Sequence, residues 1–343
     1  MLNVGIGLTS KCNCNCNHCY SRIYGNSEFL DKGTLFVFFD SFDIESVNFG
    51  TGESFYHPDY IDIVKYLYEK NVKISVTTNG YTVSKMSDKQ LYMLHDVDFS
   101  LDYPTEKLHD SVRKNGCFEL VKKGVLRCKK LGITCSIAWC LTPENCNYIK
   151  EMYLLCKQWG IFLRINVYKP VENKKGFTYD LFWKSMNELL KWGDIISISE
   201  GIVNAAINNS KNLTGCNPRN LRVFPDGTMS SCVYVPNESM TLAKACSMTE
   251  DQLLKYFHEQ YQIEEKSRCH KCDVFEKCMA GCMARRRIAN LDKDEFCFMD
   301  KGDKPNFERI AFSSNNTSDL FIHSNYICTL IMEPREDLIW KSD

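Results

Sequence analysis

Four cysteines fall within eight residues, Cys12-Asn13-Cys14-Asn15-Cys16-Asn17-His18-Cys19, just after the apolar run Val4-Gly5-Ile6-Gly7-Leu8. Read as Cys12-x3-Cys16-x2-Cys19, the stretch offers three thiolates close enough to wrap one metal centre. Thiolate-rich sites select iron–sulfur clusters or zinc over harder ions. A four-iron cluster held by three protein thiolates leaves one iron for a ligand from outside the chain. Cys14 permits other registers, including a closed four-thiolate site. The stretch alone predicts a metal-binding loop and leaves its register and chemistry open.

The chain has 343 residues and 19 cysteines. A disulfide framework belongs to small secreted chains. Here the N-terminus enters the cysteine stretch without a signal-like basic and apolar region. No apolar run approaches the ~18–20 residues that span a bilayer. Reduced cysteines, a cytoplasmic location and no membrane partner are therefore expected. A net charge of −1 supplies no global field for nucleic acid.

The first two hundred residues alternate apolar runs with amphipathic stretches, which predicts βα units around parallel strands. Strand candidates are Val4–Thr9, Ile44–Phe49, Val72–Thr77, Val97–Leu101, Thr134–Leu141 and Ile161–Val167. Helices are expected around Pro58–Glu69, Lys89–His95, Phe118–Lys130, Tyr148–Gln158 and Tyr179–Trp192. The pattern suits a partial barrel or an open wound sheet, and in both, ligands gather at the carboxyl ends of the strands. The cysteine stretch, Gly50-Thr51-Gly52-Glu53-Ser54, Thr77-Thr78-Asn79-Gly80 and Ser100-Leu101-Asp102 all follow strands and share that rim.

A polar segment at Asn208–Thr214 marks a boundary, giving units at 1–208, 209–310 and a tail at 311–343. Beyond it a hairpin is expected around Pro225-Asp226-Gly227, then a helix at Glu250–Phe257. The downstream thiols are Cys216, Cys232, Cys269, Cys272, Cys278, Cys282 and Cys297. Zinc is the plain alternative for such Cys-x2-Cys pairs. Seven ligands exceed one zinc and fall one short of two closed sites.

Together the two fields resemble the radical S-adenosylmethionine (SAM) enzymes that carry a C-terminal SPASM domain. Cys12-x3-Cys16-x2-Cys19 is similar to the SAM-cluster motif, and the seven downstream cysteines to the SPASM pattern. The resemblance implies a partial (β/α)6 barrel, three [4Fe-4S] clusters and SAM. Cys12, Cys16 and Cys19 would hold the SAM cluster, with Cys14 a bystander turned away from it. Gly52 and Glu53 match the glycine-rich motif at the amino end of SAM, with Thr51 replacing the first glycine. Ser100 and Arg113 would hold the carboxylate and ribose side, and the His18 backbone the adenine. Cys269, Cys272, Cys278 and Cys297 would form one auxiliary site. Cys216, Cys232 and Cys282 would form the other, Cys246 being the nearest spare thiol.

The implied reaction is reductive cleavage of SAM to a 5′-deoxyadenosyl radical, which abstracts hydrogen from a ribosomal peptide or protein. Oxidation, cross-linking or epimerisation follows, with an external electron donor. Only eleven residues precede Cys12, so a separate leader-binding partner or another docking mode is expected. Val233 stands where sulfatase-maturing relatives place an aspartate. Cys140, ending the fifth strand candidate, is a candidate hydrogen donor, its plain alternative being a packed strand thiol. Cys117, Cys128, Cys135, Cys146, Cys156 and Cys328 read as packing cysteines, and Arg285-Arg286-Arg287 as a solvated helix face. Rival readings are a small-molecule substrate, a non-catalytic multi-cluster electron carrier, and a zinc module.

Overall fold

The computed structural model describes residues 1–21, 29–170, 175–209, 216–217, 219–235, 239–263, 267–315 and 329–339. Cys328 and all but the start of the Asn208–Thr214 segment lie outside them. Six strands pair in parallel, each with its sequence neighbour: β1 (Leu2–Ile6), β2 (Ile44–Phe49), β3 (Lys73–Thr78), β4 (Asp96–Ser100), β5 (Thr134–Leu141) and β6 (Phe162–Val167). Between them lie α1 (Lys32–Ser41), α2 (Tyr60–Glu69), α3 (Tyr81–Lys85), α4 (Asp88–Leu91), α5 (Glu106–Val112), α6 (Cys117–Lys130) and α7 (Ile149–Trp159).

Strand residues alternate between two buried faces, as parallel sheets covered on both sides require. One face is apolar: Val47 and Phe49, Ile74 and Val76, Val97 and Phe99, Ile137 and Trp139, Leu163 and Ile165 are all buried. It packs on helices such as α2, α6 and α7. The other face is polar, and its groups satisfy one another across strands. Ser75 Oγ donates to Asp96 at 2.7 Å, Asn48 Nδ2 to Thr77 Oγ1 at 3.3 Å, and Arg164 pairs with Asp98. This polar inner wall positions the site.

The rest of the chain comprises α8 (Tyr179–Trp192), β7 (Gly193–Ile198), α9 (Gly201–Ala206), β8 (Asn220–Val223), β9 (Met229–Ser230), α10 (Leu242–Cys246), α11 (Glu250–Tyr261), α12 (Phe275–Cys278), α13 (Met283–Ile288), α14 (Phe298–Lys301) and β10 (Thr329–Pro334). β8 joins the sheet parallel to β1 and forms the expected hairpin with β9. β10 inserts antiparallel between β6 and β7, giving the order β7-β10-β6-β5-β4-β3-β2-β1-β8-β9. The sheet stays open, a partial barrel. Among the described residues no helix is long and apolar enough to cross a membrane.

The arginine triplet is not one solvated face. Arg287 is exposed, but Arg285 is 1% exposed and lies between Glu200 and Asp294, both buried. Helical rotation separates neighbours by about 100°, so three consecutive residues cannot share one face.

Candidate active site

The cysteine loop leaves β1 at the carboxyl end of the sheet and is tied down by the next two loops. Glu53 N donates to Lys11 O at 2.9 Å. The buried Glu53 carboxylate turns to the β3–α3 loop, accepting from Thr78 Oγ1, from Asn79 N at 3.0 Å and from Thr82 N at 2.8 Å. Asn79 Nδ2 then donates to Asn13 Oδ1 at 2.8 Å and lies 3.3 Å from Cys14 Sγ. The sequence placed Asn79 on the rim but gave it no role; here it links β3 to the cysteine loop.

Cys12, Cys16 and Cys19 line one cavity, with Cys16 almost wholly buried. Cys14 lines the same cavity. Its thiol lies 3.2 Å from Cys117 Sγ, at the first residue of α6, and Cys14 N donates to Cys12 Sγ. The loop is too short to carry Cys14 out of the knot, so α6 receives it.

Gly52 has φ +64°, and a Cβ there would meet Thr9 O at 2.3 Å and Lys11 O at 2.7 Å. Thr51 is accommodated because its side chain lies over Gly7, where a Cβ would meet it at 2.6 Å. Gly52→Ala is therefore expected to cost about 1–3 kcal/mol in backbone strain before the clash is counted. It should also lower iron retention. Thermal unfolding and iron content of anaerobically prepared protein check both; wild-type values for each would refute the constraint.

At the end of β4, Arg113 donates to Asp102 through Nε at 2.6 Å and Nη2 at 3.2 Å. His18 Nε2 lies 3.5 Å from the same carboxylate. The neutral ring of His109 accepts from Asp102 N through Nδ1 at 3.1 Å, burial pushing its pKa down to about 4. Burial raises the Asp102 pKa, but the Arg113 charge outweighs it and holds the carboxyl at about 2, below the ordinary 3.8. A folded pKa below the unfolded one contributes stability above about pH 4 that is lost as pH falls toward 2. The stability gap between wild type and Asp102→Asn should shrink across that window, followed by circular dichroism. A gap constant from pH 5 to 2 would contradict the pairing.

The cavity encloses about 640 Å³, and Gly52, Glu53, Ser100, Arg113, His18 and Cys140 also line it. Cys140 faces it half-buried, and burial raises its thiol pKa, keeping the S–H intact. On the far wall, Tyr234 packs against Tyr20 with ring centroids 5.7 Å apart, and Lys169 Nζ lies 5.3 Å from its ring. Arg164, Asn166 and Arg222 complete the inner wall. Sequence reading missed these residues, although period-two alternation on β6 puts Arg164, Asn166 and the apolar Leu163, Ile165 on opposite faces.

The downstream thiols form two groups. Cys269, Cys272, Cys278 and Cys297 line a second, small cavity beside α9. Cys216, Cys232 and Tyr234 pack against the small buried cluster that holds Cys282. Cys278 and Cys282 serve different groups because Met279, Ala280 and Gly281 between them all take positive φ. Non-glycine residues there store strain that surrounding structure must hold. Cys246 belongs to neither group; α10 packs on α1. Among the described residues no three His, Cys, Asp or Glu side chains converge on a single-ion position. A cubane distributes its thiolates over separate irons, so such convergence is not what it needs.

Residues 6–156 match the model of the Radical SAM superfamily. Over 310 residues the chain is 23% identical to the mycofactocin maturase MftC of Mycobacterium tuberculosis, covering 84% of this chain and 79% of that protein. The solved structure of anSMEcpe with bound AdoMet superposes with a TM-score of 0.67 at 19% identity, covering 88% of this chain and 91% of that one. Streptococcus suis SuiB bound to its precursor peptide SuiA gives 0.63 at 15%, covering 85% and 74%. These structural likenesses show the fold.

Proposed function

We propose, from the match of residues 6–156 to the Radical SAM superfamily model, that the chain is a radical SAM enzyme that abstracts hydrogen from a ribosomal peptide or protein. The observation carrying this reading is the shared cavity. Cys12, Cys16 and Cys19 stand on one wall, and Tyr234 on another, backed by the Cys216, Cys232 and Cys282 group. The donor set fits: the loop thiols, Cys14 among them, line one cavity with an arginine held by Asp102, and an open volume lies beside them. Cys12, Cys16 and Cys19 would hold a four-iron cluster, and Gly52, Ser100, Arg113 and the His18 backbone would hold SAM. When bound there, cluster and SAM supply a 5′-deoxyadenosyl radical on reduction. Glu53 positions the Gly52 turn through Thr78, Asn79 and Thr82. Asp102 keeps the Arg113 fork aimed at the rim.

We read Cys269, Cys272, Cys278 and Cys297 as a complete auxiliary cluster site. Cys216, Cys232 and Cys282 would hold a second with three protein thiols. A peptide substrate is supported by relatives: MftC is a maturase, and SuiB is solved with a precursor peptide. A separate leader-binding partner and an external reductant complete the reading. The test is anaerobic reduction with SAM, reading 5′-deoxyadenosine and the iron and sulfide content. Intact reduced clusters with no SAM cleavage would favour an electron carrier, and zinc without iron a zinc module.

Cys140 supports a second step. Its protonated thiol on the cavity wall can give a hydrogen atom to a substrate carbon radical, the S–H bond breaking as C–H forms. The thiyl left behind takes one electron from the external donor and one proton from solvent, restoring the S–H. Cys140→Ala is expected to convert an inverted product into one lacking the returned hydrogen, read by mass spectrometry in deuterated buffer. Unchanged product and turnover would remove Cys140 from the mechanism.

A further inference from the structure

The three-ligand register leaves Cys14 without a metal to hold, and the fold gives this thiol a partner from outside the loop. Cys14 Sγ lies 3.2 Å from Cys117 Sγ, 103 residues away in the chain. A disulfide holds its sulfurs at about 2.05 Å, so closing this pair moves them by roughly 1 Å. Cys14 also hydrogen-bonds with Cys12 and Cys16. Either of those pairs would close a ring of three residues, bending the bond from its ordinary geometry and storing strain. Cys117 imposes no such ring, and a long closed loop restricts the unfolded chain more than a short one.

The two thiols are held in place and differ in access. Asp110 accepts from Gly116 N at 2.6 Å and from Phe118 N at 2.9 Å, fixing the backbone on either side of Cys117. Asn79 Nδ2 and the Cys14 N–H to Cys12 Sγ contact tether Cys14. Cys117 is 1% exposed, whereas Cys14 is partly exposed and lines the open cavity. A reagent entering the cavity therefore meets Cys14 first, and Cys117 is placed to react with Cys14 alone.

We propose that Cys14 and Cys117 are a modification site: in the iron-free chain a small disulfide oxidant joins them, while Cys12, Cys16 and Cys19 stay reduced. The Cys14 thiolate attacks one sulfur of the oxidant, breaking its S–S bond, releasing one small thiol and leaving a mixed disulfide. The Cys117 thiolate then attacks the Cys14 sulfur, closing the protein disulfide and releasing the second small thiol. The chain gives up two electrons, and the two released thiols carry off its two thiol protons. Cys12 is exposed, so oxidation can also enter there. Cys14 then displaces the oxidant's thiol from Cys12, and Cys117 takes Cys14 and frees Cys12. The bond fastens Cys14 to α6 and removes it from competition for iron. The disulfide rests on these two thiols, and its benefit rests on the reading of Cys12, Cys16 and Cys19 as ligands.

The test uses the full chain, stripped of iron by a chelator under anaerobic conditions and equilibrated in glutathione buffers stepped from reduced to oxidised. Each sample is alkylated in denaturant, digested without reduction and mapped by mass spectrometry. Cys14–Cys117 should be the first cross-link to involve the loop, with a loss of about two alkylatable thiols per chain and the three ligand thiols still alkylated. In Cys117→Ser the first loop oxidation should need a buffer roughly tenfold more oxidised. In Cys14→Ser, Cys117 should stay unmodified across the same steps. A first cross-link among Cys12, Cys14, Cys16 and Cys19 overturns the site. So does an unshifted onset in Cys117→Ser, or glutathione on Cys117 in Cys14→Ser. If either serine variant misfolds, the wild-type map decides alone. The same steps on chain with reconstituted clusters test the benefit: iron kept as the cross-link forms supports it, and iron released in proportion overturns it. Failure of the fully reduced chain to hold iron removes the ligand reading and leaves the disulfide.

Discussion

Cys16→Ala is expected to abolish SAM cleavage, while Cys14→Ala keeps it. Four thiols share the loop, so the prediction decides its register. Cys16 is 7% exposed, and hydrogen bonding with Cys14 and then the Arg113 charge lower its thiol pKa against burial, with Cys12, Cys14 and Cys19 on the same cavity. Removing it leaves two rim thiols, too few to fix a cubane. Cys14 contacts Cys117 and Asn79 as well as its loop neighbours, and in the Cys12-x3-Cys16-x2-Cys19 register it is not a ligand, so its removal loses packing on α6 and keeps the three ligand thiols. Loss of a ligand should exceed the ~10–100-fold that removing an outer partner costs. The measurements are 5′-deoxyadenosine by mass spectrometry and iron bound per chain, both after anaerobic reconstitution. If Cys14→Ala lost both and Cys16→Ala kept them, the loop would be using another register.

How much of this was legible depended on range. β2 and β5 match their expected bounds because each is a short apolar run with a clear turn after it. β1 begins and ends earlier than Val4–Thr9 because Leu8 and Thr9 already belong to the rim, Leu8 O accepting from Leu30 N at 2.9 Å. The first crossover helix, α1, escaped because Leu35-Phe36-Val37-Phe38-Phe39 is apolar on every side and gives no helical stripe; Val37 remains 54% exposed. β10 escaped because its partners lie far back in the chain, and nothing local in Thr-Leu-Ile-Met-Glu-Pro names them. The site divides the same way. Cysteine spacing is local and readable, as is the glycine at residue 52. Arg222, Lys169 and Tyr234 gain their place only when β8 docks beside β1, so their residue types carried no signal.

Arg285→Met is expected to destabilise the fold by about 3–5 kcal/mol, the cost of stripping the partner from buried charges. Arg285 donates to Glu200 at 3.0 Å through Nη1 and to Asp294 at 3.0 Å through Nε. All three side chains are about 1% exposed or less. Its guanidinium also lies 5.1 Å from the Phe296 ring centroid. Burial disfavours the Arg285 charge, yet the two carboxylates more than compensate and raise its pKa. Asp294 in turn accepts from Cys282 N at 2.7 Å, so the network anchors the strained turn that separates the two thiol groups. Without Arg285, two carboxylates face each other in a dry interior, and Cys282 loses its anchor. The thermal midpoint should fall by roughly 5 °C or more, and iron content should fall with it. Adding Glu200→Gln and Asp294→Asn removes the repulsion and should recover part of the loss, a coupling that distant sites do not show. An Arg285→Met midpoint equal to wild type, or a triple variant worse than the single by the sum of its parts, would show that the buried arginine is not what holds this half of the chain.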